Sequence, residues 1–438
     1  MRRCLRMLVS AGVAGLLLAV AAGAGGQEAG VAGKSTPLGA DFRISGAGAQ
    51  GEDGYPAVAW NATTNQYLVV WQDQRSAATR GADIYGRLVD AQGVPVGADF
   101  RISGPNATED DLRPAVVWNG AADQYLVVWQ DQRNSPAHHG DIYGRRVSAT
   151  GAVAGMDFPI SSPGATAEWP AAAWNGTANQ YLVVWQDDRD EATHVGDIYG
   201  RRLSATGAVV GADFPISSPA AGGKVLPAVA WNGTANQYLV VWQDERDETT
   251  RGSDIYGRRV SAQGAVVGPE RRISGPAAKG NDWWPAVAWN GAANQYLVVW
   301  GDERDSSRGF DVRGRLVSAD GTAVRADFRI SGRAATASDE SPVVVWNETA
   351  NEYLVVWMDG RDDAHRADRG CDIYGRRVSA AGAPAGAEFR ISGPGATTDD
   401  VLPAMAWDRA ANRYLVVWSE ARNFLTSNWD IFGRQVAG

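Results

Sequence analysis

Cysteine is nearly missing from this chain of 438 residues, which holds only Cys4 and Cys371. That excludes the disulfide framework by which small exported domains compensate for a thin core. Lysine is scarce as well, at Lys34, Lys224 and Lys279, and no run of basic residues occurs. With 41 basic against 50 acidic residues, the chain has no electrostatic footprint for nucleic acid. Histidine occurs four times, at His138, His139, His194 and His365, without the regular spacing of a metal site. No stretch of useful length carries a helical period of apolar residues, which argues against an α fold.

What is present begins with a segment unlike the rest. Arg2, Arg3 and Arg6 precede an apolar run from Met7 to Ala22, and Ala22-Gly23-Ala24 offers small residues for cleavage. This is the pattern of a secretory signal peptide over residues 1–24, too short and weakly flanked for a lasting membrane span. Its removal takes three arginines away, moves the net charge from −9 to −12, and leaves Cys371 without a partner in the chain. Residues 25–36 read as a flexible linker, and residues 37–438 as one repetitive domain.

Seven times the chain spells Pro-Ala-Val-Ala-Trp-Asn, then Gln-Tyr-Leu-Val-Val-Trp-Gln-Asp, then Asp-Ile-Tyr-Gly-Arg, with small variations. The first tryptophan of each copy is Trp60, Trp118, Trp174, Trp231, Trp289, Trp346 or Trp407, at intervals of 56 to 61 residues. Such a period marks an array in which each unit is one supersecondary element that cannot bury its face alone. Each unit holds four short segments rich in β-branched and aromatic residues. In the second these are Pro114–Trp118, Gln124–Trp129, Asp141–Val147 and Asp157–Ser161. Four strands repeated radially make a β-propeller blade. The last unit lacks its fourth segment, and the missing piece stands at the beginning as Asp41–Ser45. The expectation is an all-β, seven-bladed propeller with four antiparallel strands per blade, the last blade closed by an N-terminal strand. Fourteen of the 18 tryptophans occupy two fixed positions per unit and are expected in the core between blades.

Charged residues recur too. Each second strand ends in Trp-x-[Asp/Glu]-x-Arg, from Asp73/Arg75 to Glu420/Arg422, and each third begins with an aspartate followed four residues later by arginine. These read as structural pins, with calcium coordination as the alternative. Seven equivalent copies do not make one asymmetric catalytic centre, so no catalytic residue and no metal ligand is assigned. The repeat resembles the TolB-type, WD40-like propeller repeat of bacterial exported proteins in Pro-x-x-x-Trp-Asn, the apolar strand ending near Asp-x-Arg, and Gly-x-Asp-Ile-Tyr. It departs in the longer fourth-strand region and in blade number, TolB itself having six. The resemblance implies an exported propeller used for protein or ligand contacts.

Function is sought where the repeat breaks. The odd aromatics Tyr55, Trp169, Trp283, Trp284, Phe310, Phe424 and Trp429, and all four histidines, fall before a first strand or between strands two and three. In a propeller those connections share one face. Tyr55, Arg113, Trp169, Leu226, Trp284, Ser341 and Leu402 should surround the mouth of the channel, with Asp53, Asp111, Asp282, Asp339 and Asp400 two residues further back. Aromatic planes beside carboxylates suit a carbohydrate, and equally a protein surface. The candidate ligand-binding set is Tyr55, Arg113, Trp169, Trp283, Trp284 and those five aspartates. The leading expectation is a secreted or periplasmic, monomeric, non-enzymatic module for a glycan or an extracellular or envelope protein. A polysaccharide lyase or glycoside hydrolase, and a structural envelope scaffold, are the alternatives.

Overall fold

The computed structural model describes residues 37–46, 51–105, 109–134, 140–164, 166–189, 196–219, 222–275, 280–305, 309–332, 338–361, 370–393, 399–423 and 428–438. The expected signal and linker segments lie outside them, as do all four histidines and Phe424. Among the described residues no helix is long and apolar enough to cross a membrane. Seven four-stranded antiparallel sheets follow one another along the chain. Blades 1 to 6 occupy residues 53–101, 111–159, 167–215, 224–272, 282–329 and 339–390. Blade 7 combines residues 400–437 with the strand Pro37–Arg43, which pairs antiparallel to Asn428–Ala437. The expected seven-bladed ring with its N-terminal closing strand is therefore present.

The second strand of each blade explains the ring. Leu68 and Val70 pack with Tyr125, Val127 and Trp129 of blade 2, while Tyr67, Val69 and Trp71 pack with Leu415, Val417 and Ile431 of blade 7. Alternate side chains thus serve opposite neighbours, as the two-residue period of a strand dictates. An uninterrupted Tyr-Leu-Val-Val-Trp run is required because both faces are covered, and these five residues are fully buried in blade 1.

The third strand carries two devices. A Cβ on Gly86 would come within 2.7 Å of the Ile102 methyl, so the glycine of Asp-Ile-Tyr-Gly-Arg makes room for the isoleucine of the Phe-x-Ile-Ser segment. The following arginine reaches in two directions. Arg145 gives Nε to the Gly155 carbonyl of its own outer strand at 2.9 Å and Nη1 to the Ile102 carbonyl of blade 1 at 2.8 Å. The inter-blade bond recurs at every junction, including Arg87 to Ile44 at 2.9 Å and Arg434 to Ile391 at 2.9 Å. Gly155 lies at φ 70° in a bulge that interrupts the outer ladder and blunts the edge.

The expected pins are also present. Arg133 bonds Asp131 and Asp157 and lies 4.0 Å from the Tyr143 ring centroid, joining strands two, three and four. Strand boundaries differ from the expected ones at the outer strand, which in blade 2 runs Val153–Pro159 and ends before Ile160. There Ile160 leaves the regular pairing, and Ser161 Oγ accepts from the Ile142 amide at 3.0 Å. Of the two tryptophan sets, the second (Trp71 to Trp418) is fully buried, whereas the first (Trp60 to Trp407) is only partly covered. Cys371 is buried, and its backbone amide donates to Asp399 Oδ1 at 3.1 Å. Cys4, the chain's other cysteine, lies outside the described residues.

Arg145→Ala should cost about 1.5–3 kcal/mol in chemical denaturation, the worth of hydrogen bonds to a charged group. Arg145→Lys should not restore it, since one ammonium cannot reproduce the planar fork.

Candidate functional site

Each first strand starts on the face where the chain is irregular, and it starts with a defect. In blade 1 the register to the second strand shifts between Gly54 and Ala57. The residue at the third position lies in the left-handed region in all seven blades: Tyr55, Arg113, Trp169, Leu226, Trp284, Ser341 and Leu402, with φ of 51° to 55°. A proline follows each one. Left-handed backbone costs a non-glycine residue about 1–2 kcal/mol, yet glycine fills none of these positions. The side chains are retained against that cost and are of five kinds, only tryptophan and leucine occurring twice.

The structure gathers the expected site residues into two groups. In the first, the Tyr55 and Trp169 rings stand edge-on at 6.1 Å between centroids, although their blades are not adjacent. Arg113 of the intervening blade lies 3.9 Å above the Trp169 ring. Its guanidinium donates to Gln130 Oε1 at 2.7 Å and pairs with Glu168 at 3.5 Å. In the second group, Trp283, Trp284 and Phe310 pack mutually at 4.9 to 5.3 Å. Blade 5 makes room through Gly301, which stands where blade 1 has Gln72; a Cβ there would meet Trp284 at 3.2 Å. That lone change in the Gln-Tyr-Leu-Val-Val-Trp-Gln-Asp phrase was the sequence signal for the cluster.

A third feature was missed. A cleft of about 200 Å3 opens between blades 7 and 1, bounded by Tyr55, Glu52, Gln72, Gln74, Leu402 and Trp429. It places two amides and a carboxylate beside an aromatic edge. Nothing in the sequence pairs these residues, because the cleft joins the first blade to the last.

The five aspartates take a different place from the one expected. Asp53, Asp111, Asp282, Asp339 and Asp400 are at most 1 % exposed, so they do not stand open beside the aromatics. Each is the first residue of its strand and faces the acid at the end of the second strand, as Asp111 faces Asp131. Asp111 Oδ1 also accepts the Trp129 indole N–H at 2.9 Å. Burial, and then the charge of the facing acid, push Asp53 and Asp111 up to about 9. The same causes hold Asp282, Asp339 and Asp400 well above the carboxylate range. Each of these pairs thus holds its first-strand carboxyl toward the protonated form. Blade 4 meets the same need with a cation, since fully buried Lys224 occupies the position and lies 3.2 Å from Asp197.

One further acid is unusual. Glu340, the second residue of its strand, is 4 % exposed, and burial raises it to about 7, opposed by a hydrogen bond with Ser338. Among the described residues no cluster of three or more His, Cys, Asp or Glu side chains is arranged to hold a metal ion.

No family model and no curated protein matches the chain. Solved structures do. It is similar to a protein of unknown function from Dyadobacter fermentans, at TM-score 0.52 and 10% identity, covering 92% of this chain and 99% of that one. It is also similar to the GH93 α-L-arabinofuranosidase of Fusarium graminearum, solved with arabinobiose, at TM-score 0.52 and 12% identity, covering 92% and 98%. At such identities the likeness is one of fold.

The raised aspartates fix a pH dependence. Their contribution is complete below the unfolded carboxylate value, about 4, and is lost as pH rises through the folded value, about 9 for Asp53 and Asp111. Asp213 and Asp327 act in the opposite sense. Burial opposes it, but Arg189 with Ser162 and Arg304 with Arg313 hold them below the ordinary range, so their contribution is lost in acid. The thermal midpoint should therefore fall steadily from about pH 5 to about pH 9. Asp111→Asn should raise the midpoint at pH 9 relative to the parent and leave pH 5 nearly unchanged. A parent midpoint that climbs over this range would show that the five acids are ionised in the fold.

Proposed function

We propose that the chain is a secreted carbohydrate-binding propeller of TolB-type kinship, using the irregular face around the channel mouth. The observation that carries this reading is the left-handed position before each proline. Across seven blades it holds five kinds of side chain, aromatic, cationic, aliphatic and hydroxyl, on an otherwise repetitive scaffold, at a backbone cost that glycine would relieve. Binding residues tend to sit where a rigid frame holds variable segments. Partly exposed Tyr55, Trp169 and Trp284 supply ring faces for sugar C–H groups, and Arg113, Glu168, Gln72 and Gln74 supply donors and acceptors for hydroxyls. The shared fold of a protein solved with arabinobiose is compatible with a glycan ligand.

A hydrolase is the second reading, and Glu340 is the observation in its favour. A carboxyl near pKa 7 is suited to general-acid work. It would need a second, exposed carboxylate across a bound sugar.

A glycan array of the chain from residue 25 should give at least one hit, weakened about tenfold or more by Trp169→Ala and by Trp284→Ala. Trp283→Ala should weaken it through loss of support for Trp284. Retained binding in all three variants would remove the site. Reducing-sugar release that disappears in Glu340→Gln would decide for the hydrolase.

A further inference from the structure

We propose that the opposite mouth of the channel is a second, independent ligand site, built from the first tryptophan of each blade and suited to a short neutral oligosaccharide. These indoles form a ring. Trp174 and Trp231 of adjacent blades both reach the Gly176 turn, where a Cβ would stand 3.3 and 3.4 Å from them. Trp231 and Trp289 meet the Gly233 turn in the same way, at 3.2 Å each, and their centroids lie 6.3 Å apart. Within the ring a cavity of about 630 Å3 is lined by Trp231, Trp289, Trp346, Trp407 and the alanines and valines beside them. That volume falls inside the range of about 300–1,000 Å3 typical of small-ligand sites.

The lining selects the ligand class. Of the tryptophans that line the cavity, Trp407 and Trp289 give their N–H to the turn asparagines Asn412 and Asn294 at 3.1 and 3.5 Å and the Trp231 N–H is itself buried, so the wall presents mostly ring carbon. Charge is confined to the rim, where Arg409 and Glu348 neutralise each other at 2.9 Å. A ring of flat apolar faces without net charge favours a molecule with its own apolar face and polar periphery. A sugar ring stacks its C–H face on indole and keeps its hydroxyls toward water and the turn backbones. Core packing alone does not require this arrangement. The second tryptophan of every blade packs the core at 0 % exposure, whereas the first leaves ring surface open. One partly open aromatic would need no explanation, but seven at one position, four of them lining a single cavity, do.

The test uses the chain from residue 25 titrated with cellohexaose, chitohexaose, laminarihexaose and arabinohexaose, followed by tryptophan fluorescence and calorimetry. At least one probe should bind. Ala292→Trp, placed on an exposed turn that borders the cavity, should weaken binding at least tenfold by filling it. Trp289→Ala should do the same, and Trp169→Ala on the other face should leave this binding unchanged. If Trp289→Ala fails to fold, Ala292→Trp decides alone. Failure of all four probes, or binding that survives Ala292→Trp, overturns the proposal. So does a Trp289-dependent dimer in light scattering, which would make the ring a contact between two copies. Sensitivity to Trp169→Ala alone would assign the glycan to the irregular face and also overturn it.

Discussion

A strand buried on both sides needs two neighbours. The Tyr-Leu-Val-Val-Trp segment sends alternate side chains into the blade before and the blade after, so no blade completes its core by itself. Removing such apolar area from water is the main favourable term in folding. It is collected in full only when the array bends round and the last unit meets the first. The arginine fork from each third strand to the preceding isoleucine carbonyl fixes the angle at which neighbours meet. The rest of the molecule is arranged round this two-sided demand.

The two faces diverge for the same reason. On the regular face the turns after the first strands of blades 1, 2, 3, 4 and 6 are held by bonds that cross to the next blade. Asn175 caps its own turn amides and bonds Asn236 of the next blade at 2.9 Å, while Asn179 accepts from Trp174 at 3.2 Å. Where the bond runs from asparagine to asparagine, in blades 2, 3, 4 and 6, both residues must recur, which accounts for the monotony of these turns. On the irregular face the described constancy lies one layer down, in the buried acids. Side chains above that layer are free to differ. Both rims are aromatic, but one is a repeated ring and the other an assortment.

Blade number, strand content and the closing strand were legible in the sequence because the missing fourth segment of the last unit reappears at Phe42. The Asp-x-Arg pins were legible from repetition alone. Three things were not. The two tryptophan positions look alike in sequence, and only their distance from the axis separates a buried Trp71 from a partly open Trp60. The left-handed residue before each proline could not be read, since Trp, Arg and Leu are poor formers of that conformation. The bulge there adds a residue and shifts the alternation by one, so Asp53 and its equivalents, read as loop neighbours of the mouth, are strand residues facing inward. The Tyr55–Trp169 contact skips a blade and has no trace in local pattern.

The closing strand has a kinetic consequence. Pro37 pairs with Val436, so the final sheet is assembled from opposite ends of the polypeptide. The entropy of closing so long a loop grows only with the logarithm of its length, about 0.6 kcal/mol per doubling, and is no great thermodynamic burden. Time is the heavier burden, because contacts this distant form late. Until they do, Asn428–Ala437 presents an unpaired edge, and a strand of the same Ala-Asp-Phe-Arg-Ile-Ser type recurs in blade 1 of any neighbouring molecule. Exchange of that strand between chains is the characteristic misassembly open to this ring, and the speed with which a molecule captures its own N-terminal segment decides between one closed propeller and a linked pair.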